Sequence, residues 1–106
     1  MLRIRAGSEH RFIGIWAVVV EGRVFVRSWS RKPRGWYRSF LEDSHGAILV
    51  NDREIAVGAR RTGSDRLKDA VSRAYLEKYG TRASLRYARD MVRPKSRDTT
   101  TELVSR

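Results

Sequence analysis

The chain has 106 residues, of which 41% are apolar and none is cysteine, and it carries a formal net charge of +11. This length is typical of one domain with a modest core, which we predict to span residues 1–106. The lack of cysteine excludes disulfides, zinc-thiolate sites and thiol catalysis. The charge indicates an anionic partner: nucleic acid, a membrane surface or a phosphorylated small molecule.

The positive charge is distributed along the whole sequence. Residues 1–53 carry 10 basic and 5 acidic side chains, and residues 54–106 carry 13 and 7, so there is no basic tail. The longest apolar run, residues 12–20, is too short to cross a bilayer, and the N-terminus lacks the features of a signal peptide. We therefore predict a cytoplasmic protein.

The first part of the chain predicts three strands, at residues 2–6, 12–20 and 23–29. The second of them, FIGIWAVVV, has apolar residues at both alternations, which predicts a strand covered on both faces. Glu21 and Gly22 form a two-residue turn, so the second and third strands make a hairpin. On the returning strand Arg27 and Trp29 share one face.

The second part of the chain mixes helices with strands. The predicted elements are a short helix at 36–43, strands at 45–50 and 53–61 joined by Asn51-Asp52, a long helix between Ser64 and Gly80, a shorter helix ended by Pro94, and a last strand at 99–104. Ser64, after Arg60 and Arg61, is interpreted as a helix cap in preference to a phosphate site. The fold class is mainly β (α+β).

Residues 26–40, VRSWSRKPRGWYRSF, combine cations and aromatic rings without any acidic residue. The cations are Arg27, Arg31, Lys32, Arg34 and Arg38, and the rings are Trp29, Trp36, Tyr37 and Phe40. Pro33 and Gly35 interrupt the strand, which places the cluster on a loop between a strand and a helix. A serine hydroxyl and adjacent cations on such a loop can bind one phosphate. The alternative is a solvated loop with Trp36 and Tyr37 in the core, and the pattern leaves both open.

Other catalytic patterns are scarce in this sequence. His10 and His45 lack metal-ligand spacing, and the adjacent Glu42 and Asp43 cannot flank a substrate from two sides. We interpret these four as solvated side chains. Tyr37 and Tyr75 are the candidates for a proton donor.

Three stretches, residues 15–40, residues 65–80 and the closing Met-x-x-Pro with TTTELV, carry a family resemblance. From about Ile4 to the C-terminus the chain resembles a bacterial family of uncharacterised proteins in the flavin-binding split-barrel superfamily. Ser30-Arg31-Lys32 is similar to the phosphate-binding Ser-Arg-Lys of pyridoxamine-phosphate oxidases. Trp36-Tyr37 resembles the Pro-x-Trp-Tyr of deazaflavin-dependent nitroreductases.

The resemblance implies a six-stranded antiparallel split β-barrel with flanking helices, which forms a homodimer and holds FMN, or alternatively a deazaflavin coenzyme, in a groove between subunits. One face of strand 12–20 would then fill the barrel, and the other would meet a helix or the second subunit. The resemblance also implies the cofactor site. Ser30, Arg31 and Lys32 would hold the phosphate, Trp29, Trp36 and Tyr37 would line the groove, and Ser28 would also be a cofactor-binding residue.

Three functions therefore remain open. The first is a flavin-binding protein, an oxidoreductase if it is an enzyme, that acts on an unknown small molecule. The second is a small basic β-barrel that binds nucleic acid. The charge is spread over both halves of the chain without the basic stripe that such proteins usually show, which argues against this function. The third is a structural dimer without a cofactor.

Overall fold

The computed structural model describes residues 2–6, 12–28 and 36–105. Within these ranges the strands are β1 (Leu2–Ala6), β2 (Ile13–Ile15), β3 (Ala17–Val20), β4 (Arg23–Val26), β5 (His45–Val50), β6 (Arg53–Arg61) and β7 (Thr101–Ser105). The helices are α1 (Trp36–Glu42), α2 (Asp65–Tyr79), α3 (Leu85–Met91) and the single turn α4 (Pro94–Arg97).

The strands form one antiparallel sheet in the order β2-β1-β5-β6-β7-β4-β3. The two edge strands, β2 and β3, are separated in sequence by Trp16 alone, so the chain itself brings the two edges of the sheet together. The sheet is therefore barrel-like and nearly closed. A mainly antiparallel β fold of this kind agrees with the fold class expected from the sequence.

The strand count differs from the expected six, because the predicted strand at 12–20 is interrupted at Trp16 and the sheet has seven strands. The carbonyl oxygen of Trp16 accepts a hydrogen bond from Tyr75 Oη at 2.6 Å, and its indole stacks on the ring of Tyr79 at a centroid distance of 4.3 Å. Helix α2 thus binds the backbone of Trp16 from outside the sheet. The segment passes from one edge of the barrel to the other at this residue.

Both predicted two-residue turns are confirmed. Glu21 and Gly22 have φ values of 54° and 73°, and Asn51 and Asp52 have φ values of 48° and 64°. Two consecutive positive φ values define the turn whose twist matches that of the flanking antiparallel strands. Strand β4 ends at Val26, earlier than the predicted residue 29.

The helices follow the predicted caps. Ser64 Oγ accepts the backbone N–H of Leu67 at 3.2 Å, which confirms the cap interpretation of this residue at the start of α2. Pro94 ends the segment of α3 as predicted, but it also occupies the first turn of α4, which the sequence did not predict. Proline favours this position because its missing N–H is not needed there.

Two apolar clusters lie on opposite sides of the sheet. The interior cluster consists of Ile4, Ile15, Val26, Phe40, Ile48, Val57 and Leu103. The outer cluster joins β3 and β4 to helices α2 and α3, and consists of Val18, Phe25, Leu67, Val71, Tyr75 and Met91. Strand β4 contributes to both, because Val26 points inward and Phe25 outward.

The expectation that strand 12–20 is covered on both faces holds for only part of it. Ile15 and Val18 are buried on opposite faces, whereas Ile13 is 45% exposed and Val19 is 64% exposed. Within the described ranges, no helix is long and apolar enough to cross a membrane.

Candidate functional site

The first cation of the predicted cluster, Arg27, is fully buried at the end of β4. Its Nε donates to Thr100 Oγ1 at 2.9 Å, and its Nη2 donates to the carbonyl oxygen of Lys68 at 2.8 Å. Its Nη1 donates to Ser72 Oγ at 2.9 Å and to the carbonyl oxygen of Met91 at 2.8 Å. This one side chain therefore ties β4 to α2, to α3 and to the segment before β7.

Arg27 keeps its charge in this environment without forming a salt bridge to any described carboxylate. Burial lowers the pKa of Arg27 to about 10, which leaves the guanidinium protonated at neutral pH. The guanidinium also lies 5.7 Å from the centroid of the Tyr75 ring, within the range of a cation–π contact. Arg27 is thus a structural residue, and its inclusion among the cations that await a ligand was wrong.

Ser28 is the last described residue before the loop. It is buried, and its backbone N–H donates to Thr99 Oγ1 at 2.8 Å. The Thr99 hydroxyl in turn lies 2.6 Å from the carbonyl oxygen of Ser96, to which it donates. The start of the loop is therefore held in place by the segment between α4 and β7.

Four predicted site residues, Trp29, Ser30, Arg31 and Lys32, lie outside the described residues. The other end of the stretch is described. Trp36 is half-buried against the interior cluster and forms edge-to-face contacts with Phe40, at a centroid distance of 5.9 Å, and with Tyr37, at 6.1 Å. An aromatic group thus begins α1.

The sequence left open whether Tyr37 is a core residue or part of a ligand site, and the structure shows features of both. Tyr37 is 5% exposed, so it packs as a core residue does, and its Oη lies 3.5 Å from the carbonyl oxygen of Asp98, at the limit of a hydrogen bond. Its ring also lines a pocket. Core packing and a place in the candidate site are therefore compatible for this side chain.

The pocket lies between α1 and strands β6 and β7 and has a volume of about 220 Å³. Its lining residues are Tyr37, Phe40, Leu41, Ala59, Arg61 and Thr101. Arg61 and Thr101 are direct cross-strand partners, so their side chains leave the same face of the sheet. The pocket is therefore mostly apolar, with a hydroxyl and a guanidinium side by side on one wall.

The electrostatics of the pocket favour an anion. Arg61 is exposed and provides the only charge among the described lining residues, and no salt bridge to it occurs within the described ranges. The neighbouring carboxylate, Glu102, lies on the opposite face of β7 and binds Arg23 through two hydrogen bonds of 2.9 and 2.6 Å. These hydrogen bonds hold the pKa of Glu102 below its ordinary value.

Of the pocket residues, the sequence pointed to Tyr37 as a site residue and to Phe40 as a ring of the cluster, and it did not connect them with residues of β6 and β7. Arg61 had been considered only as a neighbour of the α2 cap, and Ala59 and Thr101 had been assigned to strands. The signal that connects them is the register of β6 on β7, which pairs Ala59 with Leu103 and Arg61 with Thr101. That pairing joins residues about 40 positions apart and is not visible in a local pattern.

The structure separates the two candidate proton donors. Tyr75 is fully buried in the outer cluster, donates its hydroxyl to Trp16, and has its pKa raised by burial. It is therefore no proton donor for a ligand in the pocket. Tyr37 faces the pocket and remains a candidate. Among the described residues, no three His, Asp or Glu side chains are placed to hold a metal ion.

The sequence matches, over residues 2–103, the family described as "uncharacterized protein conserved in bacteria (DUF2255)". The chain belongs to this family. A comparison with the curated proteins finds no match. This membership confirms the expected resemblance to a bacterial family of uncharacterised proteins.

Proposed function

We propose that this member of DUF2255 binds a flavin, FMN in the first instance, at the pocket beside Tyr37. The observation that carries the proposal is the lining of the pocket, an apolar surface with two aromatic rings and a single cation, Arg61. Flat aromatic ligands with an anionic substituent suit such a surface, because the rings bury apolar area and the nearby guanidinium attracts the negative charge electrostatically. A deazaflavin coenzyme meets the same description and is the alternative.

The two described ends of the predicted loop at residues 29–35 support the same ligand. The first anchor of this loop is the buried Ser28, and the chain re-enters the described structure at Trp36, one residue before the pocket residue Tyr37. Ser30, Arg31 and Lys32 lie between these anchors in sequence. In this proposal they bind the phosphate, while Trp29, Trp36 and Tyr37 contact the ring system.

The barrel-like fold supports a place in the flavin-binding split-barrel superfamily, to which the sequence motifs are similar. A redox role follows from the ligand, because a bound flavin supplies hydride transfer and the protein supplies binding and orientation. We therefore propose an oxidoreductase that acts on a small molecule. Tyr37, whose hydroxyl-bearing ring lines the pocket, is the residue placed to orient that substrate.

A homodimer is part of the proposal. The pocket of about 220 Å³ is smaller than the usual range of about 300–1,000 Å³ for ligand sites, so a second subunit would supply the missing wall. The pocket residue Leu41 is 48% exposed at the rim, where such a subunit would cover it. Light scattering should give twice the chain mass. A monomer at micromolar concentration that still bound FMN would remove the dimer from the proposal but leave the ligand.

The test of the flavin proposal is a fluorescence titration with FMN and riboflavin, which differ by the phosphate. We expect Arg31→Ala and Lys32→Ala each to weaken FMN binding by about 1–3 kcal/mol, the range for hydrogen bonds to a charged group, and to leave riboflavin binding nearly unchanged. The matched control is Arg53→Ala, which removes an exposed arginine at the start of β6. Equal losses in all three variants would show general electrostatics and refute the phosphate site. Binding of neither FMN nor deazaflavin would favour the structural dimer without a cofactor.

A further inference from the structure

One concentration of positive charge lies around α3. Residues 82–97 carry six basic side chains and one acidic side chain. The basic residues are Arg82, Arg86, Arg89, Arg93, Lys95 and Arg97. Nearly half of the net charge of +11 therefore comes from 16 consecutive residues, a concentration that the comparison of the two halves of the chain concealed.

Two of these arginines, Arg86 and Arg89, lie on α3, and two flank it, Arg82 before its start and Arg93 after its end. Arg82, Arg86, Arg89 and Arg93 are separated by steps of four, three and four residues, the spacing of neighbours on a helix surface. The backbone supports this spacing beyond both ends of α3, through hydrogen bonds from Leu85 N to Thr81 O and from Arg93 N to Asp90 O. All four arginines are exposed. We call these four residues the arginine face.

The opposite side of the same helix is already occupied. Ala88 is fully buried and Met91 is 9% exposed, and Met91 belongs to the outer cluster between α3, α2 and the sheet. Helix α3 consequently has no apolar side left with which to enter a lipid bilayer, as an interfacial amphipathic helix must. The arginine face offers charge and hydrogen-bond donors.

Most of the arginine face is not neutralised within the described part of the chain. Arg93 Nε lies 3.5 Å from Asp90 Oδ1, and no described carboxylate forms a salt bridge with Arg82, Arg86 or Arg89. Arg97, in the same segment, instead bridges to Asp69 of α2 at 2.9 Å.

Aromatic rings lie beside the arginine face. Tyr87 follows Arg86 on α3, is 45% exposed, and contacts the indole of Trp16 edge-on at a centroid distance of 5.6 Å. Trp16 in turn stacks on Tyr79 at 4.3 Å. Proteins that bind single-stranded nucleic acid combine two such features. Cationic side chains contact the phosphate backbone, and partly exposed aromatic rings stack on the bases.

We propose that the arginine face, with Tyr87 at its side, binds the phosphate backbone of single-stranded nucleic acid. Four exposed arginines at helical spacing over residues 82–93 suit a repeating polyanion better than a single phosphate. This proposal is independent of the flavin site, since α3 packs on the outer cluster and the pocket lies between α1, β6 and β7.

The test uses fluorescence anisotropy with labelled 20-nucleotide DNA and RNA strands of one mixed sequence at several salt concentrations. The triple variant Arg82→Gln, Arg86→Gln, Arg89→Gln should bind at least about tenfold more weakly at low salt. Its slope of log affinity against log salt should be shallower by about 2, because each phosphate contact to a single strand contributes about 0.7.

The matched control is the triple variant Arg3→Gln, Arg53→Gln, Arg60→Gln, which removes the same charge from exposed positions on β1 and β6. It should bind within about twofold of the parent. The single variant Arg82→Gln, which lies outside α3, should lower the slope of log affinity against log salt by about 0.7. This variant tests the proposal even if the triple variant unfolds.

Three results would overturn the proposal. The first is no binding of either strand by the parent at protein concentrations up to about 100 μM, the weak limit of non-specific binding. The second is an equal loss of affinity in the two triple variants, which would mean that the charge acts as a whole. The third is binding to vesicles of anionic phospholipid together with no binding to the oligonucleotides.

Discussion

Arg27 and Arg61 show two opposite uses of the same side chain on either side of the barrel. Arg27 is fully buried outside the sheet, and its guanidinium donates four hydrogen bonds to the segment before β7 and to helices α2 and α3. Arg61 is exposed beside the pocket, where no described carboxylate bridges to it. The hydrogen-bonding capacity of Arg27 is consumed by the fold, whereas that of Arg61 is available to a ligand.

A count of cations in a sequence therefore does not give the number of side chains that can bind a ligand. In the cluster at residues 26–40, Arg27 was grouped with Arg31 and Lys32 because the three are close in sequence. The structure places Arg27 on the outward side of β4, where α2 and α3 seal it from solvent. The pocket instead receives its cation from β6, a strand that begins 26 residues later.

The largest effect should come from removing Arg27. Arg27→Ala leaves the two hydroxyls and two carbonyl oxygens that it binds without their donor, and it empties a large buried volume. We expect the free energy of unfolding to fall by about 3–5 kcal/mol, the range for truncating a large buried side chain. Urea denaturation measures this change. A loss below about 1 kcal/mol, as for an exposed side chain, would contradict the structural role given to Arg27.

A smaller effect is expected at the pocket wall, where Phe40 packs closely on Gly46. A Cβ at residue 46 would clash with the carbonyl oxygen of Arg5 and lie 2.7 Å from Phe40 Cζ. Gly46→Ala should therefore lower the free energy of unfolding by about 1–3 kcal/mol, as overpacking does. Thermal denaturation checks this, with Gly63→Ala as the control, because a Cβ at Gly63 meets no atom within 4 Å. Equal losses in the two variants would contradict the close packing.

The ion pair outside the pocket should matter only at the pH values where Glu102 is ionised. Its hydrogen bonds to Arg23 lower its folded pKa below the ordinary 4.5, so its stabilising contribution is present above that value and is lost as the pH falls through the folded pKa. Parent and Glu102→Gln should therefore differ in urea midpoint at pH 7, and the difference should shrink as the pH falls below 4.5 through the folded pKa of Glu102. A difference that is constant from pH 7 to pH 3 would show that ionisation of Glu102 is not involved.

The smallest effect on stability should be that of Arg61→Ala. Because the side chain is exposed and makes no salt bridge within the described ranges, the free energy of unfolding should change by less than about 0.5 kcal/mol. The affinity for FMN should nevertheless fall. Calorimetry of this variant measures both its stability and its affinity for FMN. Destabilisation by Arg61→Ala without a change in affinity would contradict the contrast with Arg27.

Much of the fold could be predicted from local sequence. Strands β5 and β6, the turn at Asn51 and Asp52, and the Ser64 cap were predicted because alternation, turn chemistry and capping act over a few residues. The break at Trp16 was missed because the contacts made there are long-range, as is the hydrogen bond that its carbonyl oxygen accepts from Tyr75, 59 residues away. The pocket was largely missed for the same reason, since β6 meets β7 only through long-range pairing.

The most direct test of the flavin site is to add FMN to the 15N-labelled protein and to follow its backbone amide signals by NMR. We predict chemical-shift changes around the pocket, at Tyr37, Leu41, Arg61 and Thr101, and little change at Val71 in the outer cluster. Changes confined to α2 and α3, or no changes at millimolar FMN, would contradict a flavin site at this pocket.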